Sequence, residues 1–252
     1  MSDGAKSDLE RLSENWDRAL AVVAHPDDLE FGAAAAIARW TGQGKQVIYC
    51  LVTSGEAGID SMPPEQTRPV REAEQRTSAG LVGVHAVHFL GFPDGILEYG
   101  PLLRRAIARE VRRYWPDVVV TNNFRDTCDG DRVLNQPDHM VTGRATLDAV
   151  RDAGNRWVFP ELGEEGSDPG RGVRQVWASA SPRRGTASKS PTPSRWRWTC
   201  CERTRPTCVG SAPGTSTRPS SSKRYRGLPA VALASGMAPR SRSSTSVNSE
   251  RP

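Results

Sequence analysis

A histidine, a proline and two adjacent aspartates follow the first apolar run of the chain, in the segment VVAHPDDLEFG at residues 22–32. His25 and Asp28 lie three residues apart at a strand-to-helix junction, so both side chains can converge above the edge of a sheet. An imidazole nitrogen and a carboxylate oxygen suit Zn²⁺ or another divalent ion of borderline softness. These residues predict the beginning of a metal site.

Asp27 lies beside these two residues and has two interpretations. A carboxylate next to a metal ion can take a proton from water whose pKa the ion lowers, which predicts a general base. Alternatively, Asp27 or Asp28 caps the following helix, and Glu30, three residues after Asp27, completes a capping box. The HPDD segment alone leaves both interpretations open.

A second cluster, LNQPDHMVTG at residues 134–143, follows the apolar run PDVVVT and the polar loop NNFRDTCDGDRV. His139 stands at a loop-to-helix junction on the carboxyl side of a strand, and Asp138 can orient it or a neighbouring side chain. The chain has four histidines. His85 and His88 flank the short run VHAVHFL and are interpreted as surface or packing residues. The two clusters together favour the metal site.

The elements that must position these clusters alternate between short β-branched runs and longer amphipathic stretches, which is typical of an α/β domain. This order predicts a mostly parallel sheet covered on both faces, with a ligand crevice at the carboxyl ends of its strands. The predicted strands are Ala19–Ala24, Gln46–Thr53, Ala86–Leu90, Asp117–Thr121 and Val173–Ala178, and the predicted helices are Leu29–Gly42, Thr67–Gly83, Pro101–Tyr114 and Asp138–Ala153.

The two motifs, HPDD after a strand and PDHxxxG farther along the chain, resemble those of the PIG-L/LmbE-like family of metal-dependent N-deacetylases. The resemblance covers residues 19 to about 181 and includes TSGEAG, REAEQR, GFPDG and RDAGNRWVFPEL. It implies a Rossmann-like three-layer sandwich. It also implies a zinc-dependent enzyme that removes acetyl from an N-acetylated amino sugar or a related small glycoside.

The resemblance also assigns roles to single positions. Its zinc ligands match His25, Asp28 and His139, its general base matches Asp27, and Gln136 and Asp138 fall among its catalytic positions. Polar residues that line or support its sugar pocket match Glu56, Arg71 and Asp94. The plainer alternatives are that Arg71 and Glu74 are charges on a helix surface, and that Asp94 is a turn former in the sequence PDG.

Gln136 departs from the pattern of the family. Many members carry a second histidine three residues before the zinc histidine, and it helps to stabilise the tetrahedral intermediate. A glutamine amide can donate a hydrogen bond to an oxyanion, but it carries no positive charge and cannot act as a general acid. Either Gln136 is a weaker donor, or another residue such as Arg125 takes part, or the reaction is slower or has changed.

The chain divides into two parts of different composition, which we interpret as a deacetylase-like domain at residues 1–181 and a basic tail rich in Ser, Arg and Pro at residues 182–252. The segment from Arg183 to Pro252 holds 14 Lys and Arg against 2 Asp and Glu, whereas the rest holds 20 against 27. The tail is either a natural basic segment with too few apolar residues to fold, or an out-of-frame translation.

If the tail replaces the last part of the domain, the incomplete domain would expose a sheet edge. An exposed edge favours a homo-oligomer or an inactive product.

Composition narrows the class of protein further. No apolar run is long enough for a membrane span, and the polar start lacks the apolar region of a signal peptide, which predicts a cytoplasmic protein. Five cysteines without metal-type spacing predict no disulfide framework. The acidic first part predicts no nucleic-acid partner, and the family resemblance implies a small-molecule substrate. A nucleotide-binding module is disfavoured because AHPDDLEFG has no Gly-x-Gly phosphate loop.

Overall fold

The computed structural model describes residues 10–128, 132–169, 172–181 and 186–187. All of them belong to a unit that spans Met1–Gly210, and the second unit, Ser211–Pro252, lies outside them. The strands are β1 (Glu10–Arg11), β2 (Arg18–Val23), β3 (Gln46–Leu51), β4 (Ala86–Phe89), β5 (Val118–Thr121), β6 (Thr127–Cys128), β7 (Val133–Leu134), β8 (Gln175–Ala178) and β9 (Thr186–Ala187). The helices are α1 (Asp28–Gly32), α2 (Ala34–Gly42), α3 (Pro64–Leu81), α4 (Pro101–Tyr114), α5 (Pro137–Ala153) and α6 (Glu161–Glu164).

Five parallel strands form the central sheet in the order β4-β3-β2-β5-β8. The chain runs outward from β2 through β3 to β4, and then returns to place β5 and β8 on the other side of β2. This reversal makes a crevice at the carboxyl ends of β2 and β5, where open α/β sheets bind their ligands. Two short pairs lie apart from the sheet: β1 with β9, which are parallel, and β6 with β7, which are antiparallel.

Helices cover both faces of the sheet, as predicted. On one face, Ile37 and Trp40 of α2 pack on strand residues such as Tyr49 of β3. On the other face, Ile107 of α4 and Ala149 of α5 pack in the same core cluster as strand residues of β2, β3 and β5. The predicted three-layer α/β sandwich is therefore confirmed.

Helix boundaries differ from the prediction most at two places. The helix predicted over Leu29–Gly42 is divided into α1 and α2, with Ala33 between them at φ −136°. The interruption follows Gly32, and glycine is among the poorest helix formers. The helix predicted to begin at Thr67 begins at Pro64, because a proline is well suited to the first helical position, where its missing N–H would have no partner.

The predicted boundary at residue 181 and the basic tail at 182–252 concern a part of the chain that, apart from Thr186–Ala187, lies outside the described residues. The two interpretations of the tail stay open. Among the described helices, none is long and apolar enough to cross a membrane.

Candidate active site

The site lies where β2 and β5 end and α5 begins. His25 lies two residues after the end of β2, and the side chain of Asn122, which follows β5, accepts a hydrogen bond from the N–H of Ala24 at 2.9 Å. Gly143 of α5 lies so close to the end of β5 that a Cβ atom there would be 2.7 Å from the carbonyl oxygen of Asn122. The glycine of the PDHxxxG motif therefore allows α5 to bring His139 next to the carboxyl end of β2.

The three predicted metal ligands converge. The Nε2 atom of His139 lies 2.9 Å from Oδ1 of Asp28, and Oδ2 of Asp28 lies 3.7 Å from Nδ1 of His25. One ligand atom from each residue lies within 4.8 Å of the others. Two imidazoles and a carboxylate that face one cleft fit a single divalent ion, with room for water or substrate as a further ligand.

The opposite side of the His25 ring contacts two carboxylates. Its Nε2 atom lies 3.1 Å from Oδ1 of Asp94 and 3.3 Å from Oδ2 of Asp138. Asp138 is buried and is itself held by the N–H groups of Gly95 and Leu97, at 2.8 and 3.2 Å. Asp138 therefore orients His25, and not His139, which is its neighbour in sequence. A contact between a carboxylate and the second ring nitrogen commonly fixes the ring orientation of metal-binding histidines.

These contacts shift the pKa values of the ligands. Burial lowers the pKa of His25, but hydrogen bonds and the charges of Asp28 and Asp94 outweigh it and raise the pKa to about 10. Burial raises the pKa of Asp28, but hydrogen bonds from His139 and His25 outweigh it, so the pKa lies below its usual value. These two shifts favour an anionic Asp28 next to a positive charge. A bound metal ion would supply a positive charge at the same place.

Asp27 faces the same cleft from a turn with a left-handed backbone. Its φ is 84°, a conformation that aspartate tolerates better than most residues. Its N–H donates to Oε1 of Gln75 at 2.8 Å, and Nη2 of Arg71 donates to its Oδ2 at 2.8 Å. Burial raises the pKa of Asp27, whereas the hydrogen bond and charge of Arg71 lower it. The effect of burial is larger, so the pKa lies above its usual value.

The predicted capping box does not form among the described residues. Asp27 occupies the N-cap position of α1, but its side chain makes no capping hydrogen bond there. Glu30, the other member of the box, instead accepts hydrogen bonds from Gln75 and Ser78 of α3. The interpretation of HPDD as a structural cap is therefore wrong for this helix.

The three predicted pocket residues differ in position. Arg71 and Asp94 line the cleft, whereas Glu56 does not. Glu56 is buried and accepts hydrogen bonds from Arg68 at 2.9 Å and from the N–H of Asp94 at 3.3 Å. Its position supports the turn that carries Asp94. Arg71 contacts Asp27 as well as Glu74, so it is more than a charge on a helix surface.

Gln136 lies at the N-cap of α5 and lines the cleft. Its Oε1 atom accepts a hydrogen bond from the N–H of His139 at 3.3 Å, which leaves the NH₂ group as the donor end of the side chain. Arg125, the other residue considered, stacks on Phe124 at 5.3 Å and is not among the residues that line the cleft.

Several cleft residues were not predicted. Phe31, Asn122, Arg132 and Ser179 all line the cleft. The polar pair NN after the run PDVVVT was a usable signal for Asn122, because side chains at the ends of parallel strands meet at one edge of the sheet. Phe31 and Arg132 gave no such signal in the sequence. His88, interpreted as a packing residue, hydrogen-bonds Tyr114 away from the cleft.

Comparisons with known proteins agree with this fold and site. The diacetylchitobiose deacetylase of Thermococcus kodakarensis is 30% identical over 139 residues, which are 54% of this chain and 50% of that enzyme. A probable N-acetyl-alpha-D-glucosaminyl L-malate deacetylase 2 of Bacillus anthracis is 30% identical over 144 residues, 54% of this chain and 61% of that protein. The chain thus spans about half to three fifths of the length of these two relatives.

Among solved structures, the N,N'-diacetylchitobiose deacetylase of Pyrococcus horikoshii has the same fold, with a TM-score of 0.62 and 23% identity over 67% of this chain and 62% of that chain. A conserved protein of Thermus thermophilus matches with a TM-score of 0.53 and 30% identity, over 65% of this chain and 66% of that chain. Residues 20–150 match the PIG-L family, described as GlcNAc-PI de-N-acetylase. The chain therefore belongs to the PIG-L family.

Proposed function

We propose that this chain is a zinc-dependent N-deacetylase that hydrolyses the acetamide of a small N-acetylated amino sugar or glycoside. The observation that carries the proposal is the convergence of His25, Asp28 and His139 in one cleft, with the carboxylate of Asp27 beside them. The relatives whose names describe deacetylases of N-acetylated sugars support the same reaction class.

His25, Asp28 and His139 would hold the ion, and their two nitrogens and one oxygen favour Zn²⁺ over the hard ions Mg²⁺ and Ca²⁺. When bound, Zn²⁺ supplies Lewis-acid chemistry, polarising a carbonyl oxygen and lowering the pKa of water. Asp138 and Asp94 hold the ring of His25 from the side opposite Asp28.

Asp27 is the proposed general base. Arg71 holds its Oδ2 atom at 2.8 Å, so Oδ1 is the oxygen that takes a proton from the attacking water and passes it to the leaving amine. The same proton thus serves both steps of amide hydrolysis, in which the C–N bond breaks and acetate and a free amine form. The raised pKa of Asp27 is compatible with this role.

Gln136 is the proposed hydrogen-bond donor to the oxygen that becomes negatively charged during hydrolysis. The bond from the N–H of His139 holds its Oε1, so the NH₂ group is the end available to the substrate. A neutral donor stabilises an oxyanion less than an imidazolium does. We therefore expect catalysis to be weaker than in members that carry histidine at this position.

A small sugar suits the cleft better than a nucleic acid does. Asp27, Asp28 and Asp94 place carboxylates in the cleft, and these would repel a phosphate backbone. The hydroxyl groups of a sugar can instead donate to carboxylates and accept from Arg71.

Acetate release from N-acetylated sugars by zinc-loaded protein tests the proposal. We expect release from at least one substrate among N-acetylglucosamine, its methyl and phenyl glycosides, N,N'-diacetylchitobiose and N-acetylglucosaminyl inositol. We also expect the Asp27→Asn variant to lose that activity while it retains its metal. A zinc-loaded and folded protein that deacetylates none of these sugars would contradict the proposal.

A further inference from the structure

A buried side-chain amide bridges two residues of the first turn of α1. The N–H of Asp27 donates to Oε1 of Gln75 at 2.8 Å, and Nε2 of Gln75 donates to Oε1 of Glu30 at 2.9 Å. Gln75 is only 3% exposed, and it is not among the residues that line the cleft. Both ends of its side chain are therefore engaged by the turn that carries Asp27.

This bridge takes the place of the direct contact in a capping box. In that motif the glutamate at the third helical position accepts a hydrogen bond from the N–H of the N-cap residue. Asp27 is the N-cap of α1 and Glu30 is at the third helical position, but the amide of Gln75 lies between them. The side chain of Asp27 makes no capping hydrogen bond with the described residues of α1. The turn is thus held through the backbone of Asp27, while its carboxylate stays in the cleft.

Glu30 fixes the direction in which the amide of Gln75 faces. A carboxylate accepts hydrogen bonds and donates none, so the NH₂ end of Gln75 must face Glu30 and its oxygen must face Asp27. Oγ of Ser78 also donates to Oε1 of Glu30, which holds this carboxylate in place. If the amide were reversed, its NH₂ group would face the N–H of Asp27, and neither bond could form.

Helix α3 holds both sides of the peptide unit that joins Pro26 to Asp27. Its carbonyl oxygen accepts from Nη2 of Arg71 at 3.0 Å, and its N–H donates to Gln75. Arg71 lies four positions before Gln75, so both side chains extend from the same face of the helix. Asp27 has a φ of 84°, a conformation that persists only where the surrounding structure holds it. The two contacts from α3 supply that restraint.

We propose that Gln75 is a positioning residue for Asp27, and that Glu30 acts through it by fixing the orientation of the amide. Gln75 holds the backbone of Asp27 in the left-handed conformation that places its carboxylate beside Asp28 in the cleft. This inference rests on the proposed role of Asp27 as the general base. It adds two residues that do not line the cleft and that act on the reaction only through Asp27.

Gln75→Leu tests the bridge, because it removes both hydrogen bonds and leaves an apolar side chain in the buried position. We expect kcat for acetate release by zinc-loaded protein to fall by about 10–10²-fold, since a displacement of about 1 Å in a catalytic group can cost that much. KM should stay within about twofold of the wild type. Zinc content should not change, because neither hydrogen bond of Gln75 involves a proposed ligand. Gln66→Leu changes an exposed glutamine of the same helix and should alter neither kcat nor KM.

Exchanging the two polar groups tests the orientation of the amide. Gln75→Glu places two carboxylates side by side and should lower kcat at least as far as Gln75→Leu does. Adding Glu30→Gln supplies an amide that can donate to the carboxylate at position 75, which still accepts from the N–H of Asp27. We expect the double variant to recover most of the lost kcat, and no recovery would overturn the inference. This pair of variants keeps a polar group at position 75, so it also decides the question if Gln75→Leu does not fold.

Hydrogen exchange of the Asp27 amide separates this inference from the proposed function, because it requires no turnover. We expect NMR of the zinc-loaded protein to show exchange about tenfold faster in Gln75→Leu than in the wild type, and slow exchange again in the double variant. Equal exchange in the wild type and Gln75→Leu, or a wild-type kcat in folded Gln75→Leu, would overturn the inference. A wild type that shows the expected exchange pattern but releases no acetate would contradict only the deacetylase proposal.

Discussion

The guanidinium of Arg71 holds both the backbone and the side chain of the turn that carries Asp27. Its Nη2 atom donates to Oδ2 of Asp27 at 2.8 Å and to the carbonyl oxygen of Pro26 at 3.0 Å. A non-glycine backbone with φ near 84° costs about 1–3 kcal/mol, and surrounding contacts must offset that cost. This contact therefore holds the carboxylate of Asp27, whose backbone is strained, in the cleft beside Asp28, where a general base is needed.

Replacing Asp27 by asparagine should separate proton transfer from metal binding. We expect Asp27→Asn to lower kcat by about 10²–10⁴-fold, because the amide cannot accept the proton from water. Zinc content should stay near that of the wild type, because Asp27 is not one of the three converging ligands. Steady-state acetate release and elemental analysis of the same sample check both points. Activity within a few fold of the wild type would remove Asp27 from the mechanism.

The donor role of Gln136 can be separated from its capping role. Gln136→Glu keeps an oxygen that can accept from the N–H of His139, but at neutral pH it has no NH₂ group to donate. We expect it to keep the stability of α5 and to lower kcat by about 10²-fold, the usual cost of a lost oxyanion donor. Gln136→Ala should lose both properties.

Gln136→His is the complementary change, because it places an imidazole where the resemblance to the family implies one. We expect it to raise kcat above that of the wild type. Initial rates at a saturating concentration of one deacetylated substrate measure the difference. If kcat fell in Gln136→His but stayed unchanged in Gln136→Glu, residue 136 would have no part in stabilising the oxyanion.

Gly143 should be sensitive to a single methyl group. A Cβ atom at this position would lie 2.7 Å from the carbonyl oxygen of Asn122 and 2.8 Å from Cβ of Phe124, so Gly143→Ala must displace α5 from the end of β5. We expect a loss of about 1–3 kcal/mol in the free energy of unfolding, and weaker zinc binding through His139.

Gly154, which follows the same helix, is the matched control. The nearest atom to its Cβ would be the carbonyl oxygen of Arg151 at 3.6 Å, an ordinary contact. Urea unfolding of Gly143→Ala and Gly154→Ala should give clearly different midpoints. Equal midpoints would mean that the close approach of α5 to Asn122 does not constrain the fold.

The long elements and the convergence of His25, Asp28 and His139 were predictable from the sequence, whereas most of the cleft wall was not. His25 and His139 could be assigned because the ends of parallel strands and the starts of the following helices meet at one edge of a sheet. The position of Phe31 depends on how α1 packs against Ser179, and that contact joins residues far apart in sequence. Likewise, the sequence shows Gly143 in the motif, but only the neighbouring Asn122 explains why a larger residue does not fit.

The interruption after Gly32 and the early start of α3 show a related limit. Apolar periodicity indicated helices over both regions, yet boundaries depend on single contacts. Glu56 illustrates the same point for the site, because its sequence position gave no sign that Arg68 and the N–H of Asp94 would engage its carboxylate. Side-chain types and spacing therefore predicted the convergence of the candidate ligands better than they predicted which residues line the cleft.

Asp117 should make the stability of the fold depend on pH. Hydrogen bonds from the N–H groups of Asp17 and Arg18 and the charge of Arg174 lower the pKa of Asp117. Its carboxylate thereby joins the start of β2 to β5 and to the residue before β8. Because the folded pKa is depressed, this stabilisation is fully present above the unfolded pKa of about 3.9 and is lost as pH falls through the folded pKa.

Asp117→Asn should therefore lower the free energy of unfolding by about 1 kcal/mol at neutral pH, because the ion pair with Arg174 is partly exposed to solvent and the asparagine keeps an accepting oxygen. The difference between variant and wild type should begin to shrink as pH falls below about 3.9, where the carboxyl of the unfolded chain takes up a proton, and should vanish once pH is below the lower pKa of the folded state. Urea unfolding at pH 7 and at successive lower pH values measures this difference. A difference that stayed constant across the series would show that the charge of Asp117 does not stabilise the sheet.

Zinc content, measured by elemental analysis of purified protein, tests the central claim most directly. The wild type should carry about one zinc per chain, and His139→Ala should lose it because the variant lacks one of three converging ligands. His85→Ala, which changes an exposed histidine that does not line the cleft, should keep it. Zinc retained by a folded His139→Ala variant, or absent from a folded wild type supplied with zinc, would contradict the assignment of His25, Asp28 and His139 as the metal site.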